Sequence, residues 1–224
     1  MSSQHLLLTD PSVAAVPVRE CGEPLVELRT GGPVAIDEQP RAHLAREPAR
    51  WHVHVREGVA RRLELAARAL PGSLRLVLAE GYRPVSVQAG YFDMYSGQLA
   101  ELHPEWPPEQ LRVAASRFVA PPDLAPHSTG GAVDVLLVHA DGSDADLGTP
   151  LNASPEETGG ACFTAAPGIS SQAREHRRLL IAAMECAGFV NYPTEWWHWS
   201  YGDRYWALVT GADAAPYAPV PDRS

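Results

Sequence analysis

Two short stretches of this chain hold the residue types from which a reactive centre can be built. The first, His127-Ser-Thr-Gly-Gly-Ala-Val-Asp134, sets an imidazole in a glycine-containing turn and a carboxylate inside an apolar run. An ionised carboxylate buried there demands a cation or several hydrogen-bond donors. Zinc meets the demand, because it takes neutral imidazole nitrogen and carboxylate oxygen and keeps one position open where three protein groups hold it. Gly130 and Gly131 let the backbone turn so that both side chains aim at one point. Taken alone, the pattern equally fits an Asp134 that caps a turn or pairs with an arginine.

The second stretch, Pro193-Thr-Glu195-Trp-Trp-His198-Trp-Ser, supplies another carboxylate and another imidazole among tryptophans. On a straight strand Glu195 and His198 face opposite sides, so they converge only if a bend or bulge intervenes. If they do, His198 completes a two-histidine, one-carboxylate site for one zinc ion per chain. Glu195 then takes a proton from the hydrolytic water without being a ligand. The tryptophans keep such a pocket dry and strengthen its electrostatics. Alone, the segment also fits an aromatic core strand with a hydrogen-bonded histidine. Arg83, at a strand-to-helix junction, can stabilise the oxyanion of a tetrahedral intermediate, although most arginines beside turns are surface charges. Two histidines and a carboxylate suit Fe(II) or Co(II) as well as zinc.

The elements that must position these residues can be read from periodicity. Val55, Val59, Leu63, Ala66 and Leu70 recur at helical spacing and predict a helix from Val53 to Leu70, stopped by Pro71 and Gly72. Leu74 to Ala79 predicts a buried strand, followed by a helix from Pro84 to about Leu102. A further helix opens at Pro108 and carries Leu111, Ala115 and Phe118 on one face. Ala132 to Val138 is an apolar strand interrupted only by Asp134, with a hairpin turn at Asp141-Gly142. The segment from Asp144 to Gly168 lacks periodicity, and a long loop of this kind is often functional. Ser170 or Ser171 caps a helix from about Gln172 to Ala187. Phe189 to Tyr192, Trp196 to Tyr201 and Tyr205 to Val209 read as strands, as does a stretch near Leu25 to Leu28. The expected fold is α+β, with helices packed on a central, mainly antiparallel sheet that carries the zinc site. Its domain spans residues 51–211, after an irregular N-terminal wrap over residues 1–50 and before a loose tail over residues 212–224.

The formal charge of −9 argues against a nucleic-acid partner, which needs clustered Lys and Arg. The densest basic run, Arg174 to Arg178, is broken by Glu175 and reads as a solvated helix face. No segment is long and apolar enough to span a membrane, and Met1 to Asp10 lacks a secretory signal, so a cytoplasmic location is expected. Cys21, Cys162 and Cys186 are too few and too scattered for a disulfide framework, and Cys186 is expected to be buried and inert. His52, His54, His103 and His176 lie in settings that make poor ligands.

Taken together, Glu80-Gly-Tyr-Arg83-Pro84, the His127 to Asp134 segment and Glu195-Trp-Trp-His198 resemble the D-alanyl-D-alanine dipeptidases of the VanX type. These are zinc peptidases related to D,D-carboxypeptidases and Hedgehog-like domains. The likeness runs from about Trp51 to Tyr201 and includes Met184-Glu-Cys-Ala-Gly-Phe189. It implies that His127, Asp134 and His198 bind zinc, that Glu195 is the general base and acid, that Arg83 stabilises the transition state, and that the substrate is a small peptide. The family's ammonium-binding positions match less well: they fall on Ala125 in place of a serine and, in Leu147-Gly-Thr-Pro-Leu-Asn152, on Asn152 in place of an aspartate. Trp197 is expected with them at the substrate. An amide cannot compensate a buried ammonium as a carboxylate does, which leaves open an acylated or cell-wall peptide, or a specialised-metabolite amide, as the substrate. A non-catalytic zinc-binding module is the remaining alternative, and the intact Glu195 and Arg83 argue against it.

Overall fold

The computed structural model describes residues 6–37, 51–116 and 119–222; Phe118, expected on a helix face, lies outside them. In chain order the elements are α1 (Pro11–Ala14), β1 (Leu25–Glu27), β2 (Ala35–Ile36), β3 (His54–Arg56), α2 (Glu57–Ala69), β4 (Leu74–Glu80), α3 (Val85–Leu102) and α4 (Pro108–Ala115). They continue with β5 (Ala132–His139), α5 (Pro155–Thr158), α6 (Ser171–Cys186), β6 (Val190–Asn191), β7 (His198–Ser200) and α7 (Arg204–Thr210). The main sheet runs β2-β4-β5-β7-β6. Among the described residues of this sheet only the β2–β4 edge is parallel, and its other pairings are antiparallel. A separate ribbon pairs β1 with β3. The fold is the expected α+β arrangement.

Alternation along β5 divides the two jobs of the sheet. Val133, Val135 and Leu137 enter the main core with Leu63 of α2 and Leu180 and Met184 of α6. Asp134, one residue out of phase, turns to the opposite face. A bulge in β4 then matters, because Leu78 pairs with Val135 but Glu80, two residues on, pairs with Asp134. The extra residue Ala79 moves Glu80 off the face occupied by Leu76 and Leu78. Asp134 in turn sits opposite His198 of β7. One row across three neighbouring strands therefore reads Glu80, Asp134, His198.

Several local expectations are corrected. The helix expected from Val53 begins only at Glu57, because His54–Arg56 first pairs with β1, Val55 opposite Val26. The buried spacing of Val55 and Val59 merely continues from strand into helix. Tyr205 to Val209 is helix rather than strand: the Asp203 side chain accepts from the Trp206 amide and starts α7. Arg177 of the supposedly solvated basic run is 2% exposed. Its guanidinium donates to the carbonyls of Leu147, Phe163 and Ala161 and fastens the long loop. Cys186 is exposed and Cys162 buried. The described part of the C-terminal tail is tied down: Tyr217 Oη donates to Glu23, the Val220 amide to the Ser128 carbonyl, and the Asp222 carboxylate accepts from the first amides of α3. Among the described residues no helix is long and apolar enough to cross a membrane.

Candidate metal centre and active site

His127 lies on a short 3-10 turn, Pro126–Thr129, that leads into β5. Gly130 closes the turn in the left-handed region, at φ 70°. A side chain on Gly131 would meet the Tyr201 carbonyl at 2.4 Å, just past β7, and one on Gly130 would meet Leu25 at 2.4 Å, so the turn packs this closely on both sides only because both positions are glycine. This seating aims His127 at the row on the sheet. Its Nδ1 lies 2.8 Å from the Gly81 carbonyl, and a carbonyl can only accept. Nδ1 therefore carries the proton, and Nε2 presents a lone pair when the ring is neutral.

That lone pair meets two others. His127 Nε2 is 3.2 Å from His198 Nδ1 and 3.4 Å from Asp134 Oδ1, and the last two atoms are 3.0 Å apart. All three residues are buried. Ligands held about 2.0–2.1 Å from a tetrahedral zinc ion stand roughly 3.3 Å from one another, so the three edges match those of such a site. Without a cation the cluster must share protons instead. Burial lowers the proton affinity of His127, but the Asp134 carboxylate outweighs it and raises it overall. Burial likewise pushes the Asp134 carboxyl up, and the His127 and His198 imidazoles pull it far below the usual carboxylate range. The donor set fits zinc.

Glu195 sits in the turn before β7. Its amide donates to the Tyr192 carbonyl and its own carbonyl accepts from the His198 amide, which is the bend that Glu195 and His198 require. Glu195 is partly buried; burial pushes its carboxyl above the ordinary range, against the pull of His198. The charges of Asp134, His127 and Arg83 also act on it, so Glu195 shares the electrostatic surroundings of the cluster. Arg83 leaves β4 just after Glu80 and bonds it through two short contacts, Nε to Oε1 and Nη2 to Oε2, both 2.6 Å. Its Nη1 donates to Gln88 Oε1 at 2.7 Å, while the Gln88 amide donates onward to the Ala120 carbonyl. Burial disfavours the Glu80 anion, but the Arg83 guanidinium overcomes it and holds the carboxyl below its usual range.

The three expected substrate contacts are not among the residues of the candidate metal cluster. Ala125 is buried at the start of the His127 turn, and Asn152 is exposed at φ 62° in the long loop. Trp197 is 3% exposed and belongs to the main apolar core. It is the neighbouring Trp196 that reaches the loop, donating from Nε1 to Thr149 Oγ1 at 2.8 Å. Sequence reasoning gave no role to Glu80 or Gln88. The signal for Glu80 was present, since it ends an apolar run just as Asp134 interrupts one; Gln88, a lone amide on a helix, gave none.

Comparison with known proteins shows the family. A family profile described as D-Ala-D-Ala dipeptidase, peptidase M15, matches residues 43–213. The D-alanyl-D-alanine dipeptidase of Synechocystis is 30% identical over 216 residues, covering 86% of this chain and 87% of that protein. The D-alanyl-D-alanine dipeptidase of Enterococcus faecium is 30% identical over 152 residues, 66% of this chain and 71% of that protein. Among solved structures, VanYB in complex with D-alanine-D-alanine aligns with a TM-score of 0.47 and 19% identity, over 92% of this chain and 96% of that one. The chain is a metallopeptidase. It belongs to the D-Ala-D-Ala dipeptidase family, peptidase M15.

Proposed function

We propose that the chain hydrolyses the peptide bond of a small peptide, D-Ala-D-Ala being the first candidate, with one zinc ion held by His127 Nε2, Asp134 Oδ1 and His198 Nδ1. The observation that carries this reading is the convergence of those three donor atoms at 3.0–3.4 Å in a buried site. The names of the curated relatives support the substrate class. Bound zinc supplies Lewis acidity, which polarises a carbonyl and makes water a stronger acid.

The chain's own residues do the rest. Glu195 takes the proton of the attacking water and returns it to the leaving amine, a pair of tasks suited to a carboxyl that burial has raised. Arg83 has five N–H groups, of which Glu80 and Gln88 occupy three. The remaining two face no competing bond in that network and can stabilise the developing oxyanion. Glu80 fixes the plane of the guanidinium before substrate arrives, so that stabilisation needs no rearrangement. The surrounding tryptophans, Trp196 and Trp199 among them, are buried and keep bulk water from the sheet beneath the site.

The test is direct. Zinc-loaded protein should release D-alanine from D-Ala-D-Ala, and Glu195→Ala should cut kcat by about 10²–10⁴ while still holding one zinc. An undiminished rate in that variant overturns the mechanism. Ala125 and Asn152 favour a second reading of the substrate, in which the amino group is acylated. A zinc-loaded protein that prefers N-acetyl-D-Ala-D-Ala to the free dipeptide would establish it. Zinc binding with no hydrolysis of either would leave a binding module.

A further inference from the structure

The ring nitrogen of His198 that faces away from Asp134 has no partner. His198 Nε2 is buried and makes no hydrogen bond, and the same holds for Ser200 Oγ and Asp203 Oδ2. His198 and Ser200 stand two apart on β7, so their side chains leave the same face, and Asp203 follows in the turn into α7. The three residues are 3%, 0% and 2% exposed. Asp203 Oδ1 is committed to the Trp206 amide at 2.8 Å, which leaves Oδ2 as the acceptor turned inward. Burial pushes the Asp203 carboxyl above its ordinary range, while the Trp206 amide, the polar Ser200 side chain and the His198 and His127 imidazoles act in the other direction.

We propose that Asp203 is a positioning residue for His198: one buried water, shared with Ser200 Oγ, accepts from His198 Nε2–H and donates to Asp203 Oδ2. The inference rests on the reading of His127, Asp134 and His198 as zinc ligands. An imidazole that gives Nδ1 to a metal carries its proton on Nε2, and that N–H needs an acceptor. A carboxylate behind it fixes the ring's tautomer and orientation and makes the ligand nitrogen more basic. A buried water that joins three polar groups left without other partners is the usual device for such a gap. Asp203 thus serves two elements at once, capping α7 with one oxygen and steadying the metal site with the other.

The test compares wild type, Asp203→Asn, Asp203→Ala and Ser200→Ala for zinc affinity by chelator competition, for the visible spectrum of the Co(II)-substituted protein, and for the Tm of the zinc-free protein. Asn caps helices about as well as Asp, so Asp203→Asn should keep the zinc-free Tm yet bind zinc about 10–100-fold more weakly, with a shifted Co(II) spectrum. Ser200→Ala should lose affinity in the same direction but by less, and Asp203→Ala should also lose Tm. Zinc affinity in Asp203→Asn within twofold of wild type, with an unchanged spectrum, overturns the proposal. So does a loss of affinity that only follows a loss of zinc-free Tm. Should Asp203→Asn fail to fold, an unaltered affinity and spectrum in Ser200→Ala overturns it instead. A wild type that does not bind zinc refutes the three-ligand site itself, a result distinct from the others.

Discussion

The strands that carry the proposed metal ligands and the loop that precedes α6 solve the problem of positioning in opposite ways. On the sheet, Glu80, Asp134 and His198 are placed by backbone register, with one bulge to bring Glu80 into the row. In the loop from Asp144 to Gly168 the backbone has little ladder of its own. It is held by side chains instead: Arg177 donates to four of its carbonyls, Trp196 to Thr149, and Ser170 to Asp146. Register tolerates little change, since a slip of one residue would send every side chain to the wrong face. A loop pinned at a few points can vary between those pins. The contrast teaches that, on the proposed reading, the chemistry depends on register in the sheet while a pinned loop leaves room for substrate choice to change without disturbing it.

The sharpest way to break that contrast is to remove chemistry from the sheet side while leaving the fold alone. Glu195→Gln is isosteric, and we expect kcat to fall by about 10²–10⁴ with zinc content and Tm unchanged. A fall in zinc content as well would show that Glu195 helps to hold the metal. Arg83→Lys comes next. A lysine cannot reproduce the paired contacts to Glu80 together with the bond to Gln88, so kcat should fall by about 10²–10³ with a smaller change in KM. If KM rises instead and kcat holds, Arg83 binds the ground state and the oxyanion role is wrong.

What the sequence made legible follows the same divide. Asp134 stood out because it alone interrupts an apolar strand, and Arg83 because a strand and a proline-led helix bracket it. The cap at Ser170 was equally plain, and its side chain does accept from the Ala173 amide. The errors arose where tertiary partners overrode local preference. Tyr205 to Val209 is aromatic and branched enough to suggest a strand, yet one Asp203 cap and a packing surface for Tyr205 and Ala207 make it helical. Arg177 looked like solvated charge because nothing local announces that a loop distant in sequence will fold its carbonyls around it. The bulge at Ala79, which brings Glu80 opposite Asp134, depends on pairing between strands more than fifty residues apart and leaves no trace in either one alone.

Glu80→Gln probes the boundary between fold and chemistry with a smaller effect. Arg83 holds the Glu80 carboxyl below its ordinary range in the fold, with burial opposing. A group shifted in this direction contributes stability that is present above the unfolded value and lost as pH falls through the folded one. In the zinc-free protein, Tm measured between about pH 3 and pH 7 should therefore drop less steeply towards acid in Glu80→Gln than in wild type. At neutral pH the variant should be the less stable of the two. Parallel curves would mean that the Glu80–Arg83 pair does not contribute through its charge.

The smallest expected effect tests the loop. Asn152 is exposed, outside the metal cluster and already at a positive φ of 62°, a conformation that Asp and Asn both tolerate better than most residues. Asn152→Asp should thus leave Tm, zinc affinity and kcat for an N-acetylated dipeptide unchanged. It adds a charge at the position where the dipeptidase resemblance expects an ammonium partner. If the loop sets substrate choice, kcat/KM for free D-Ala-D-Ala should rise by up to about tenfold relative to the acetylated form, the size of one charge-assisted contact near the surface. The gain should shrink with added salt, because exposed charges are screened. A change in zinc affinity would mean that the loop and the sheet are coupled after all; equal rates on both substrates before and after would move substrate choice away from Asn152 to another wall of the site.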